Sequence, residues 1–360
     1  MSHQLPTNYE SQKNLSVVLH KQNDLRLEEK PLPDMPGKNE VLLRSSKVGI
    51  CGSDVTFWTK GLLGPFVVKE PIIMGHEASA RVVAVGEGVK NLKPGDRVAV
   101  EPGIPCLRCK DCREGSYNIC PNVYFSACPP DNGTLTKYYK WPADFCYKLP
   151  DHVSDEEGAL MEPLSVALHA SDRAEIKGGQ VFLICGAGPI GLINLLLVKA
   201  FGATKVCITD FNKDRLEIAK KFGATTTVLL TREQTEAETR EKIITGLGRM
   251  PDTVLECCGA EASIRLAIAT CKDGGKVILI GCGPNEVTIP IMTAACKELD
   301  LRGCYRYMNT WSRAVDLISS GTIDVKPLIS HRFNLEQSLD AFELAKSGKG
   351  IKIMIDCLAD

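Results

Sequence analysis

The chain has 360 residues, 44% of them hydrophobic and 24% charged, with a formal net charge of -1. That length exceeds what one hydrophobic core ordinarily supports and predicts two domains. The near-zero, well-mixed charge gives no general attraction to phosphate backbones or anionic membranes, so neither nucleic-acid nor membrane partners are expected. The polar N-terminal stretch MSHQLPTNYESQKN has no apolar run and predicts no secretory signal. The expected setting is the reducing cytoplasm, where closely spaced cysteines hold metal or react more often than they form disulfides.

In chain order, the first chemistry-bearing stretches are VGICGSDV, with Cys51 and Ser53, and IMGHEASARVVAVGEGV, with His76 and Glu77. Thiolate, imidazole and carboxylate are ligand types that zinc accepts, and three of them leave a fourth position for water or substrate. A lone histidine is more often a satisfied core or surface residue, which is the reading for His3, His20, His152, His169 and His331. His76 is set apart by its company. Next comes CLRCKDCREGSYNIC, in which Cys106, Cys109, Cys112 and Cys120 have the spacing of a closed tetrahedral zinc site, with Gly115 letting the loop fold back. Arg108, Lys110, Asp111, Arg113 and Glu114 make the stretch too polar for a core, so a structural metal is the expected source of its order. A zinc ribbon for nucleic acid is the rival use, disfavoured in a neutral chain.

The run VFLICGAGPIGLINLLLV, Val181 to Val198, is nearly long enough to cross a bilayer. Its glycines and proline instead predict a buried strand, a tight turn and a helix start. From about Lys177 to Cys304, the runs VFLIC, KVCITD, TTVLL, TVLECC, KVILIG and LDLRG alternate with helical patterns such as NKDRLEIAKKFG and EASIRLAIATC. This alternation predicts an α/β, doubly wound parallel sheet. Gly186, Gly188 and Gly191 of GAGPIG occupy the dinucleotide fingerprint between the first strand and helix. Asp210, at the end of the second strand, would accept hydrogen bonds from a ribose and repel the extra phosphate of NADP, so NAD is expected. The alternative is that Asp210 merely starts the next helix, a task Asn212 is equally placed to perform. Cys185, Cys207, Cys257, Cys258, Cys271, Cys282, Cys304 and Cys357 lie in or beside apolar runs and are expected in the core.

Taken together, GICGSD, GHEASARVVAVGEGV, KPGDRVAVEPG, the four-cysteine loop, EEGALMEPLSVALHA, GAGPIG, RYMNTW and VKPLISHRF resemble the zinc-dependent medium-chain dehydrogenases, most closely the polyol-oxidising members. The resemblance covers nearly the entire chain. It implies a mainly β, GroES-like catalytic domain of residues 1–164 and 303–360 around a Rossmann domain of residues 165–302. It also implies a catalytic zinc on Cys51, His76 and Glu77, with Glu162 reaching the metal directly or through its water. NAD would lie along Gly186, Gly188, Pro189, Ile190, Gly191, Asp210 and Arg215. Arg306 and Tyr307 would contact the polyol, with Phe125 and Phe57 in the cleft, and Ser53 and Glu162 would handle the proton. The implied reaction is oxidation of sorbitol or a related polyol to the ketose, in a homotetramer. Thr56 and Phe57 replace the His-Tyr usual in those members, and Cys128 stands where threonine is common, so a less polar cleft with a shifted polyol preference or pH profile is expected. Zinc dehydrogenases for xylitol, arabinitol, threonine or a simple alcohol are the nearest alternatives, and a non-catalytic cofactor-binding protein is a more distant one.

Overall fold

A computed structural model describes residues 9–359; His3 and the start of the N-terminal segment lie outside the described residues. The chain forms two compact units, one of Met1–Glu162 with Trp311–Gly321 and Val325–Asp360, the other of Pro163–Thr310 with Thr322–Asp324.

In the first unit, β1 (Glu40–Ile50) leads into α1 (Gly52–Lys60). It is followed by β2 (Glu77–Val85), β3 (Arg97–Val100), β4 (Tyr138–Pro142) and β5 (Cys146–Lys148). β1 pairs antiparallel with β2 and β4, β2 with β3, and β3 with β5, building most of a seven-stranded sheet. Val41, Leu42, Leu43 and Val48 of β1 are fully buried. Apolar burial of this kind contributes about 1.5–3 kcal/mol per large side chain.

Two helices follow, α2 (Asp155–Ala159) and α3 (Met161–Ala174). Each acid of α2 has its own anchor. Asp155 accepts from Arg97 at 3.1 Å, Glu156 takes both arms of the Arg332 fork at 2.6 and 2.9 Å, and Glu157 closes a capping box with Ser154. The short helix that precedes Glu162 is thereby pinned to the sheet.

The second unit alternates strand and helix: β6 (Val181–Cys185), α4 (Pro189–Ala200), β7 (Lys205–Asp210), α5 (Lys213–Lys221), β8 (Thr226–Leu229), α6 (Glu236–Leu247), β9 (Thr253–Glu256), α7 (Glu261–Thr270), β10 (Lys276–Leu279) and β11 (Asp300–Gly303). All six strands are parallel, in the order β8-β7-β6-β9-β10-β11, so the order reverses beside β6 and opens a crevice at the carboxyl ends. Every residue of β6 is buried, as expected for a central strand covered on both faces.

The chain stays in this unit through Thr310; β11 pairs with β10, and the Cys304 N–H continues the ladder onto the Leu279 carbonyl. It then adds two parallel strands, β12 (Ile329–Asn334) and β13 (Lys352–Asp356), to the first sheet, with β13 antiparallel to β1.

The expected burial of cysteines holds for Cys185, Cys207, Cys271 and Cys357, whereas Cys257 and Cys304 are half-buried. Cys258 and Cys282 are exposed, a correction with a simple cause: β9 stops at Glu256 and β10 at Leu279, so both thiols fall in the loops beyond the strand ends.

Candidate active site

Cys51 sits at the N-cap of α1 and Glu77 opens β2, with His76 just before it. Ligand atoms of Cys51, His76 and Glu77 lie within 4.8 Å of one another. Two further residues organise this group. Asp54 is fully buried; one of its oxygens accepts the Cys51 N–H at 3.0 Å, and the other lies 3.3 Å from His76 Nδ1. That contact leaves His76 Nε2 for a metal, on the side where Ser53 Oγ lies 3.5 Å away. Burial disfavours an imidazolium here, but the Asp54 charge outweighs it and raises the His76 pKa well above the usual value. From β13, Lys352 Nζ reaches both oxygens of Glu77 at 2.6 Å. A Cβ at Gly49 would stand 2.2 Å from Glu77 Oε2, so the close approach of β1 to this carboxylate requires glycine.

Glu162 is buried on α3 and its charge acts on Lys352, but it is not one of the three grouped ligands. The Phe125 ring lies 6.0 Å from that of His76, and Phe57 and Cys128 are buried. The Thr56 hydroxyl donates to the Gly52 carbonyl at 2.9 Å, within its own helix. Arg306 and Tyr307 belong to the second unit, with the Arg306 guanidinium 4.8 Å above the Tyr305 ring.

Cys106, Cys109, Cys112 and Cys120 also converge within 4.8 Å. The N–H groups of Cys109, Cys112 and Cys106 point at the sulfurs of Cys106, Cys109 and Cys120, at 3.3, 3.4 and 3.4 Å. Backbone N–H groups of Arg108 and Cys109 pull the Cys106 thiol down to about 6, into the thiolate form that binds metal. Both donor sets therefore fit zinc, the four-sulfur one closed and the mixed one with room for a further ligand. The four-cysteine lobe is fastened at its base by Glu101, whose carboxylate accepts the hydroxyls of Tyr117 at 2.8 Å and Tyr147 at 2.9 Å.

In the second unit, Gly186 has φ +97° and begins the turn after β6, and a Cβ on Gly191 would fall 1.8 Å from the Gly186 carbonyl oxygen. Around Gly188, which is the N-cap of α4, a Cβ would meet nothing within 4 Å, leaving space for a ligand to approach the backbone. Pro189 is the first residue of α4, followed by Ile190. Asp210 accepts the N–H of Ala187 at 2.7 Å and of Asn212 at 2.8 Å, locking the glycine loop to the end of β7. Asn212 caps α5 by accepting from Asp214 and Arg215, so Asp210 is not needed for that task. This crevice fits a dinucleotide: a helix N-terminus for a pyrophosphate and an acid for a ribose.

Residues 37–151 match the model of the alcohol dehydrogenase GroES-like domain, and residues 189–320 that of the zinc-binding dehydrogenase. The sorbitol dehydrogenases of Gallus gallus and Homo sapiens are 51% and 50% identical to the chain over 344 residues, 96% of each partner. The chain belongs to the zinc-dependent medium-chain dehydrogenases. The crystal structure of an Escherichia coli oxidoreductase of unknown specificity superposes on this dehydrogenase with a TM-score of 0.89 at 35% identity, covering 96% of the present chain and 99% of the other. Among the described residues, no helix of this dehydrogenase is long and apolar enough to cross a membrane.

Proposed function

We propose that the chain is an NAD-dependent zinc dehydrogenase that oxidises a polyol, sorbitol or a close relative, to the ketose. The observation that carries this reading is the convergence of Cys51 with the buried His76 and Glu77, oriented by Asp54 and Lys352, in a chain half identical to sorbitol dehydrogenases.

In this reading the first unit is the catalytic domain. One zinc would be held by Cys51, His76 and Glu77, with Glu162 as a direct or water-mediated partner, and a structural zinc by Cys106, Cys109, Cys112 and Cys120. The second unit would hold NAD along Gly186, Gly188, Pro189, Ile190, Gly191, Asp210 and Arg215. When bound, zinc supplies a Lewis acid for a hydroxyl oxygen and NAD supplies the acceptor for the hydride on the adjoining carbon. The chain supplies the rest. Ser53 hands the hydroxyl proton outward, with Glu162 as the second proton-handling group. Arg306 offers a fixed fork of donors to neighbouring hydroxyls, beside Tyr307, while Phe125 and Phe57 keep the cleft dry.

Thr56, Phe57 and Cys128 favour a second reading within the same chemistry, a zinc dehydrogenase for xylitol, arabinitol, threonine or a simple alcohol. The Thr56 hydroxyl is already committed to the Gly52 carbonyl, which supports a route for the proton that does not use this position. A cytoplasmic homotetramer with no nucleic-acid or membrane partner completes the reading. Its support is the edge strand β11 and the exposed Ile291 and Met292 upstream of it.

The test is NAD reduction across sorbitol, xylitol, ribitol, arabinitol, ethanol and threonine, with a chelated control and light scattering for mass. Preference for sorbitol or xylitol that disappears on chelation supports the first reading. Turnover confined to threonine or ethanol selects the second.

A further inference from the structure

At the carboxyl end of β9, beside the first glycine of the fingerprint, stands a carboxylate that the reaction does not use. Glu256 is fully buried. Its side chain accepts the N–H groups of Cys258 at 2.9 Å and Gly259 at 3.0 Å and the Ser263 hydroxyl at 2.7 Å. Its backbone carbonyl accepts the N–H groups of Ile280 and Gly281 at 2.8 and 2.9 Å. One residue thus ties together the turn after β9, the first turn of α7 and the turn after β10.

Those turns pack against the glycine loop. Cys258 Sγ donates to the Cys185 carbonyl at 3.3 Å, and a Cβ on Gly186 would fall 2.7 Å from that sulfur. On the other side, a Cβ on Gly259 would come within 2.6 Å of the Cys282–Gly283 backbone. Contacts this close transmit any shift of the turn at 257–259 to the loop that faces the pyrophosphate. Successive N–H groups turned the same way also form a concavity that attracts anions. Here the chain fills that concavity with its own carboxylate, whose burial is offset by the hydrogen bonds it accepts.

We propose that Glu256 is a positioning residue for the dinucleotide: by filling the Cys258–Gly259 concavity it sets the turn against which Gly186 packs and reserves the pyrophosphate for the fingerprint loop. The proposal rests on the reading of the second unit as the NAD-binding domain.

The test titrates Glu256→Ala and Glu256→Gln with NADH by nucleotide fluorescence, alongside steady-state kinetics and zinc analysis. Removing a charged acceptor of several hydrogen bonds is expected to raise the NADH Kd of Glu256→Ala about tenfold or more, and the KM for NAD with it. The KM for sorbitol and the zinc content stay at parent values. Glu256→Gln keeps one acceptor oxygen and returns the Kd to within about threefold of the parent. A residue serving stability alone would lower the unfolding midpoint without this split between the two KM values. A Kd for Glu256→Ala within about twofold of the parent overturns the proposal. If Glu256→Ala is not recovered folded, Ser263→Ala carries the test: a rise of about twofold or more is expected, and a parent-like Kd overturns it. A parent protein that binds no NADH refutes the cofactor reading, and the proposal falls with it.

Discussion

Lys352 Nζ lies 2.6 Å from each carboxylate oxygen of Glu77, across 275 residues of sequence, with the two side chains 2% and 1% exposed. Burial works against the ammonium, but the charges of Glu77 and then Cys51 outweigh it and raise the Lys352 pKa. Such a pair adds little over an apolar pair of the same shape, whereas losing one member strands the other. Lys352→Met is therefore expected to cost about 3–5 kcal/mol in urea unfolding of the chelated protein. The double variant Lys352→Met with Glu77→Met should recover most of the loss. Costs of Lys352→Met and Glu77→Met that simply add in the double variant would show that the two residues are not coupled.

The four-cysteine lobe has little apolar packing of its own, and Cys120 is its one buried ligand. Cys120→Ser is expected to lower zinc content by about one ion per chain and to lower the thermal midpoint. Because thiols and imidazole must lose protons to bind metal, both zinc ions should be released as pH falls. Release to a chromophoric chelator, followed from about pH 8 to pH 5, checks this, and a flat profile would contradict it.

Glu101 supplies a pH dependence of the opposite sign to that of a salt-bridged acid. It is 1% exposed, and burial pushes its carboxyl from 4.5 up to about 7 against the pull of the Tyr117 and Tyr147 hydroxyls. A folded value above the unfolded one means that the folded protein holds the proton more tightly. The resulting penalty is absent below the unfolded value, grows as pH rises toward the folded value, and is complete above it. At about 1.4 kcal/mol per pH unit it reaches on the order of 3 kcal/mol. Glu101→Gln should thus gain stability relative to the parent between pH 5 and pH 8, approximately by that amount. A difference between the two proteins that does not change with pH would refute the assignment.

Phe57 is buried on α1, two turns or less from Cys51, and presents no hydroxyl. Phe57→Tyr is expected to raise kcat/KM for sorbitol roughly two- to tenfold, the worth of one hydrogen bond of about 0.5–1.5 kcal/mol. Unchanged turnover on every polyol would show that the ring does not meet the substrate.

The parallel sheet was legible because each of its strands is a short apolar run bounded by glycine or polar residues, and the structure trims TVLECC and KVILIG by two residues each where glycine and cysteine loops begin. The candidate ligand types were legible because Cys106, Cys109, Cys112 and Cys120 share one short polar loop, and because His76 is followed directly by Glu77, with Cys51 further upstream. What escaped is the support around them. Asp54 reads as an ordinary helix-start acid, although its place three residues after Cys51 is a capping-box signal. Lys352 reads as a surface lysine in GIKIMID; its inward position depends on the pairing of β13 with β1, which no local pattern reveals. Glu101 and Glu256 share a subtler signature, an acid ending an apolar strand, whose partners are distant in sequence or lie in loops.

The pairing of β13 with β1 also bears on how the protein is made. The second unit is nearly continuous in sequence, so it can fold as soon as residues through Thr310 have emerged from the ribosome. The first unit cannot be completed then, because β13 and Lys352 lie beyond Thr310 in the chain. Every proposed metal ligand is present long before the counter-charge for Glu77 arrives. A nascent chain that has not yet added β13 carries all of the proposed zinc-binding side chains around an unbalanced buried carboxylate. Completion of the proposed site is thus tied to the topology: Glu77 gains its counter-charge only when β13 pairs with β1.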